Sequence, residues 1–341
     1  MRTQFSAQQQ RWAFAVGMAT TLTALLVPGE LFLRYAPPRD FRPYLGDASG
    51  LKGTFRPGGR FGVRYSSWQA FRGDYADRLP ALLPPAGRAD GRPVWAMFGN
   101  SFVQAPGMLA DTARAAVADR RVFNLGRNEV LPVRLAQIEL LLAQDLRPER
   151  VFVVLLPIDA LAFTQHSLDQ LHVSEAGAVT YRPRLPGGAA GRALSATRLG
   201  LLGWVRTGRH QALPGFRNSA ILDGLPPCVA GDFRVMFTGL AELAAERRVP
   251  VTVVVIPSHE QVTRGAPQGC LDDLARLARE AGLDACDVRE PFLRDADKAS
   301  LFIPDKHFSA RGNRLLLDAI LDHLARQGAA HGAAGRRLTR S

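Results

Sequence analysis

The sequence of 341 residues predicts an α/β protein: a doubly wound, mainly parallel sheet of five strands, with one N-terminal transmembrane helix. Three observations carry this. From Val94 onward an apolar strand, a loop and a helical stretch recur in that order, the pattern of a sheet wound by right-handed crossovers. One of those strands, Val151 to Leu156 (VFVVLL), is an unbroken β-branched and aliphatic run, as in a central parallel strand covered on both faces. Finally, Trp12 to Gly29 contains no charged residue, and the apolar character continues through Leu31-Phe32-Leu33, long enough to cross a bilayer as a helix.

Residues 1–11 form a short tail and 12–34 the membrane anchor. A cleavable signal peptide is the rival reading, but Val27-Pro28-Gly29-Glu30 offers no small-x-small cleavage site. Arg2 and Arg11 precede the run while Arg34, Arg39 and Arg42 follow it, so charge asymmetry orients it only weakly. The expected topology places the tail in the cytoplasm and the large domain outside. Residues 35–91 are rich in Pro, Gly, Arg and aromatics without a sustained period and read as a stalk, with Tyr65 and Trp68 as packing residues.

The domain spans 92–328. Its strands are Val94–Phe98, Val122–Leu125, Val151–Leu156, Val251–Ile256 and Ala285–Val288. Helices are expected over Leu131–Leu146, Phe237–Glu246, Leu271–Ala281 and Ala310–Gln327. Between about 163 and 232 the alternation stops, and an insertion of this length is expected to cap the C-terminal edge of the sheet. Residues 329–341 read as a basic, flexible tail.

A composition of 47% hydrophobic and 22% charged residues excludes a disordered or fibrous chain. The net charge of +12 rests on arginine, since Lys52, Lys298 and Lys306 are the only lysines. The arginines are scattered, which argues against a nucleic-acid-binding stripe. His166, His172 and His210 have no metal-ligand spacing, and neither metal nor cofactor is expected.

The chemistry centres on Ser101. In PVWAMFGNSFVQAPGM, Val94 to Phe98 run into a turn at Gly99-Asn100, so the strand delivers a hydroxyl to its C-terminal end, where open α/β sheets place their sites. A plain helix N-cap is the alternative for such a serine. The serine acquires partners near the C-terminus, where LFIPDKHFSARGN places Asp305 two residues before His307, ahead of a last helix that Ser309 can cap. A nucleophilic serine needs a base within hydrogen-bond reach and a carboxylate to orient that base. Parallel topology can bring both loops to one edge.

These blocks resemble the SGNH/GDSL hydrolase superfamily, and within it the membrane-anchored, exported branch similar to alginate-type O-acetyltransferases, over roughly Val94 to Leu324. FGNSF matches the first block. Asn124-Leu125-Gly126 matches the second, and LLPIDAL (Leu155–Leu161) sits at the third. VVIPSHEQV (Val254–Val262) resembles a strand end of this branch, and DKHFSARGN the last block. The resemblance implies a flavodoxin-like three-layer fold, Ser101, Asp305 and His307 as catalytic residues, and oxyanion or substrate contacts from Gly126, Asn128, Asn100 and Asp159.

Two departures stand out. Asn100 replaces an aspartate that braces the loop, and Ile158 takes the place of an oxyanion-hole asparagine, with Asn128 as a candidate substitute. The function implied is O-acetyl transfer to, or hydrolysis from, an exported polysaccharide or other acylated glycan through an acyl-serine. A membrane-bound acyltransferase partner and a periplasmic domain tethered to a bacterial inner membrane go with it. Two competing readings are a plain esterase using the same residues and a non-catalytic carbohydrate-binding or scaffold subunit of a polysaccharide assembly complex. Of the three cysteines, Cys228 and Cys270, both placed in loops, are the preferred disulfide pair, with three free thiols as the alternative.

Overall fold

The computed structural model describes residues 55–75, 91–127, 129–144, 148–174, 177–196 and 217–338, with isolated positions elsewhere. It begins with an antiparallel hairpin, β1 (Phe55–Pro57) and β2 (Val63–Tyr65), followed by α1 (Trp68–Asp74). Phe55, Tyr65, Phe71 and Tyr75 are buried in the main core, and Trp68 stacks on Phe71 with centroids 5.0 Å apart. This part of the lead-in therefore packs into the domain.

The wound core follows. Strand β3 (Val94–Phe98) leads into a one-turn helix α2 (Ser101–Gln104) and then α3 (Leu109–Ala116). Next come β4 (Arg121–Asn124), α4 (Leu131–Leu142), β5 (Arg150–Leu155) and α5 (Pro157–Gln165). The sequence between about 163 and 232 contributes a hairpin, β6 (Leu171–Val173) with β7 (Val179–Tyr181), and helix α6 (Gly188–Ser195). Helix α7 (Pro227–Arg247), β8 (Val251–Val255), α8 (His259–Thr263) and α9 (Gly269–Glu280) resume the alternation. β9 (Asp284–Asp287), α10 (Arg289–Arg294) and α11 (Ala310–Leu338) complete it.

The five central strands lie in the order β4-β3-β5-β8-β9, and every neighbour pair is parallel. The pleat divides their side chains between two cores. Ala96, Phe98, Val151, Val153, Leu155, Val253 and Val255 face α4, α7 and α9. Trp95, Met97, Phe152, Val154 and Val254 face α3 and α11. This double burial is why β5 has no polar alternation; each large apolar side chain so buried contributes roughly 1.5–3 kcal/mol over leaving it exposed. The chain winds from β3 to β4 on one side and from β5 to β9 on the other, so the winding reverses between β3 and β5. Outside the carboxyl ends of those two strands lies the crevice where such sheets bind ligands.

Several expectations change. Helix α7 begins at Pro227, ten residues before the expected Phe237. A proline in the first turn suits a helix start, and Val229, Phe233, Met236, Phe237, Leu240 and Leu243 form its buried stripe. It stops at Arg248, which is left-handed at φ 54°. Helix α11 continues to Leu338, through most of the segment expected to be a flexible tail. The hairpin of the insertion lies against β1, where the Phe55 amide donates to the Gly177 carbonyl at 3.0 Å. No helix among the described residues is long and apolar enough to cross a membrane. The expected anchor at 12–34 falls almost wholly outside those residues.

All three cysteines are free. The preferred Cys228–Cys270 disulfide is thus corrected: both residues sit in helices, Cys228 exposed on the first turn of α7 and Cys270 buried in the core on α9. Burial pushes the thiols of Cys270 and Cys286 up to about 12, so neither forms thiolate near neutrality. Native protein treated with iodoacetamide at pH 8 is expected to be alkylated at Cys228 alone, with the other two reacting only after unfolding; peptide mass spectrometry reads the difference.

Candidate active site

Ser101 is placed by a tight turn at the end of β3. Asn100 caps α2, its Oδ1 accepting from the Phe102 amide at 3.1 Å, so the amide side chain performs the bracing expected of it. The turn tolerates only glycine at 99, where a Cβ would come within 2.5 Å of the Val103 side chain. Gly126 closes the second loop against α2: a Cβ there would lie 2.7 Å from the Gln104 backbone nitrogen. Gly126→Ala must push α2 and Ser101 aside, and overpacking of this kind costs about 1–3 kcal/mol. Urea unfolding is expected to show that loss together with reduced reactivity of Ser101.

His307 arrives from the loop before α11. The Ile303 amide donates to the His307 carbonyl at 2.9 Å and the Lys306 amide to the Ile303 carbonyl at 2.8 Å, closing a narrow turn with Lys306 left-handed at φ 71°. Phe308 and Phe302 root the turn in the core, and the imidazole lies 4.7 Å from the Phe102 ring. Ser309 accepts from the Gly312 amide at 3.2 Å and donates to the Ser300 carbonyl at 2.6 Å, fixing the start of α11. On the outer side Lys306 Nζ bonds Glu260 Oε1 at 2.6 Å, and this contact holds the Glu260 carboxyl below its usual range. The segment Val254–Val262 therefore tethers the histidine loop, a contact that sequence spacing alone does not reveal.

The two loops meet: His307 Nε2 lies 2.7 Å from Ser101 Oγ across 206 residues of sequence. Asp305 Oδ1 is 3.1 Å from His307 Nδ1 and also accepts the His307 backbone N–H at 3.1 Å. The backbone bond, followed by the imidazole contact, lowers the Asp305 carboxyl below its ordinary value. Its side chain remains 64% exposed, so water screens the pair. Asp305→Asn is consequently expected to lower kcat only about 10-fold, against about 10⁴ for a buried orienting aspartate. A pH–rate profile checks this.

Beside these groups opens a cavity of about 390 Å³ lined by Ser101, Phe102, Leu131, Arg134, Ile158 and His307, among others. It occupies the crevice between the ends of β3 and β5. No described residue of 163–232 lines it. The Ser101 amide, at the first position of α2, makes no hydrogen bond to a described residue and is available to an oxyanion. The remaining expected donors are placed differently. The Gly126 amide donates to Asn124 Oδ1 at 3.1 Å, while Asn124 Nδ2 reaches the Gln104 carbonyl at 3.2 Å. Ile158 is 62% exposed at the rim and supplies no polar group. Asp159 does not present a free carboxylate: Oδ2 accepts from the Leu156 amide at 2.9 Å, capping α5, and Oδ1 pairs with Arg134 Nη2. Asn128 lies outside the described residues. Arg134, which no sequence motif singled out, is the cavity's buried cation.

Elsewhere, His166 stacks on Tyr181 at 4.2 Å and His172 sits beside Arg182, while His210 lies outside the described residues.

No family model matches the chain, and no curated protein matches it. Among solved structures it is similar to LAE5, an alpha/beta hydrolase enzyme from the metagenome of Lake Arreo, Spain, at 12% identity and a TM-score of 0.40 over 68% of this chain and 94% of that one. TesA aligns at 14% identity and 0.38 over 68% and 97%. AlinE4, a SGNH-hydrolase family esterase, aligns at 17% and 0.34 over 69% and 96%. Likeness this loose decides nothing about the reaction, which rests on the site itself.

Proposed function

We propose that the chain is an SGNH-type serine enzyme acting on acyl esters through an acyl-serine. The observation that carries this is the 2.7 Å contact between His307 Nε2 and Ser101 Oγ beside an open cavity at the carboxyl edge of a parallel sheet. As Oγ attacks the ester carbonyl, His307 takes the serine proton at Nε2. Asp305 stabilises the resulting imidazolium through Nδ1, and the Ser101 amide donates to the oxyanion. The tetrahedral adduct collapses, the alcohol leaves with the proton from His307, and the acyl group stays on Oγ. A water or a sugar hydroxyl, deprotonated by His307, then attacks the acyl-serine. Ester hydrolysis and acyl transfer differ only in that second nucleophile.

The glycan proposed is an exported polysaccharide that gains or loses O-acetyl groups outside a bacterial inner membrane, reached by a domain tethered through residues 12–34, with a membrane-bound acyltransferase as partner. Its support is the sequence resemblance and the uncharged run from Trp12 to Gly29. The binding-subunit reading draws support from the engaged Gly126 amide and from Ile158.

Full-length protein in detergent, given a chromogenic acetyl ester with and without a glycan acceptor, tests the reaction. The expected result is acetate release, with acetyl appearing on the glycan if the enzyme is a transferase. No turnover above Ser101→Ala favours the binding subunit. For topology, reporter enzymes fused after Ser341 are expected to be active only outside the inner membrane; activity of a cytoplasmic reporter alone overturns the tether.

A further inference from the structure

The cavity beside Ser101 contains a buried charge that the acyl-serine chemistry does not use. Arg134, on the first turn of α4, is 2% exposed. Its Nε donates to the Glu129 carbonyl at 2.9 Å and its Nη2 to Asp159 Oδ1, so the guanidinium plane is fixed at two corners. The third corner, Nη1, is buried and has no acceptor among the described residues. A guanidinium cannot shed its proton to relieve this, and a buried donor without a partner is unfavourable. Arg134 nevertheless lines the same cavity as Ser101 and His307.

We propose that Arg134 reads the substrate: Nη1 donates to an oxygen of the bound ester outside its reacting carboxyl group, so that the cavity selects oxygen-bearing esters over alkyl esters of the same shape. The inference rests on the ester-binding reading above. Local charge narrows the class of acceptor. Asp159 already neutralises Arg134, so an added carboxylate would bring an uncompensated charge and is disfavoured. The group that fits is a neutral ether, hydroxyl or carbonyl oxygen, the kind a sugar ring carries. The surrounding Phe102, Val130, Leu131 and Ile158 give that oxygen an apolar collar in which one hydrogen bond to a cation counts for more than in water. A site built to hydrogen-bond a substrate oxygen rejects the analogue lacking it, because its own donor is then left unpaired.

The experiment compares isosteric ester pairs on full-length protein in detergent. Butyl acetate against 2-methoxyethyl acetate varies the alcohol, and p-nitrophenyl butyrate against p-nitrophenyl methoxyacetate varies the acyl group. For each pair the oxygen-to-alkyl ratio of kcat/KM is measured in wild type, in Arg134→Lys and in the double variant Arg134→Met/Asp159→Asn. Taking the change in ratio cancels intrinsic reactivity. The lysine variant keeps Asp159 paired, and the double variant removes both charges while the side-chain amide introduced at position 159 can still cap α5. The same pairs are titrated, by ligand-observed NMR, into these proteins carrying Ser101→Ala, which isolates binding from chemistry. The expected result is a fall of about 10-fold or more in the ratio for at least one pair, in both variants and in both measurements. Unchanged ratios in both pairs, in variants that keep a cooperative melting transition, overturn the inference while leaving ester turnover intact. If instead wild type turns over no ester but the binding ratios shift, Arg134 reads the ligand and the hydrolytic reading fails.

Discussion

Ser101→Ala is expected to lower ester turnover by about 10⁴–10⁶-fold with little change in stability. Among the described residues the hydroxyl is the one group held within hydrogen-bond distance of His307 Nε2, and its loss removes the atom that would carry the acyl group. What holds the loop in place is untouched: the Asn100 cap on the Phe102 amide and the close approach of Gly126 to α2 both persist. Steady-state kinetics with an acetyl ester, together with thermal melts of both proteins, separates the chemical loss from a folding loss. His307→Ala is expected to follow it closely, since base and nucleophile act as one unit.

The second large effect is on stability. Arg134→Met alone is expected to cost about 3–5 kcal/mol, because it leaves Asp159 charged and 5% exposed beneath the cavity. Adding Asp159→Asn is expected to restore most of that loss, since an asparagine oxygen can still accept the Leu156 amide that Asp159 Oδ2 now binds. A double-mutant cycle in urea gives the coupling directly. A coupling near zero contradicts the buried pair.

The wound sheet was legible because its strands are doubly buried, so Val151 to Leu156 and Val251 to Ile256 show uninterrupted apolar runs with turn residues at their ends. The boundaries moved where a signal was local. Pro227 starts α7 inside a stretch read as insertion, and α11 runs on past Gln327. The hairpin at 55–65 escaped detection because three-residue strands leave no period to read, although its aromatic residues are core.

At the site, Ser101, Asp305 and His307 were visible because each lies in a short loop at an element boundary, and parallel topology brings such loops to one edge. The contacts of Gly126, Asp159 and Arg134 were not. They depend on which way an amide or a guanidinium points once α2, α4 and α5 have packed, and that orientation has no counterpart in spacing. The Lys306–Glu260 tether is likewise a meeting of two distant segments, 46 residues apart.

The central claim is that Ser101 is a nucleophile activated by His307. The most direct measurement treats full-length wild type, Ser101→Ala and His307→Ala with a serine-directed fluorophosphonate and maps the adduct by peptide mass spectrometry. A single adduct on Ser101 in wild type, absent in Ser101→Ala and formed far more slowly in His307→Ala, is the predicted result. Folded wild-type protein that carries no adduct at Ser101, or that labels equally fast without His307, contradicts it.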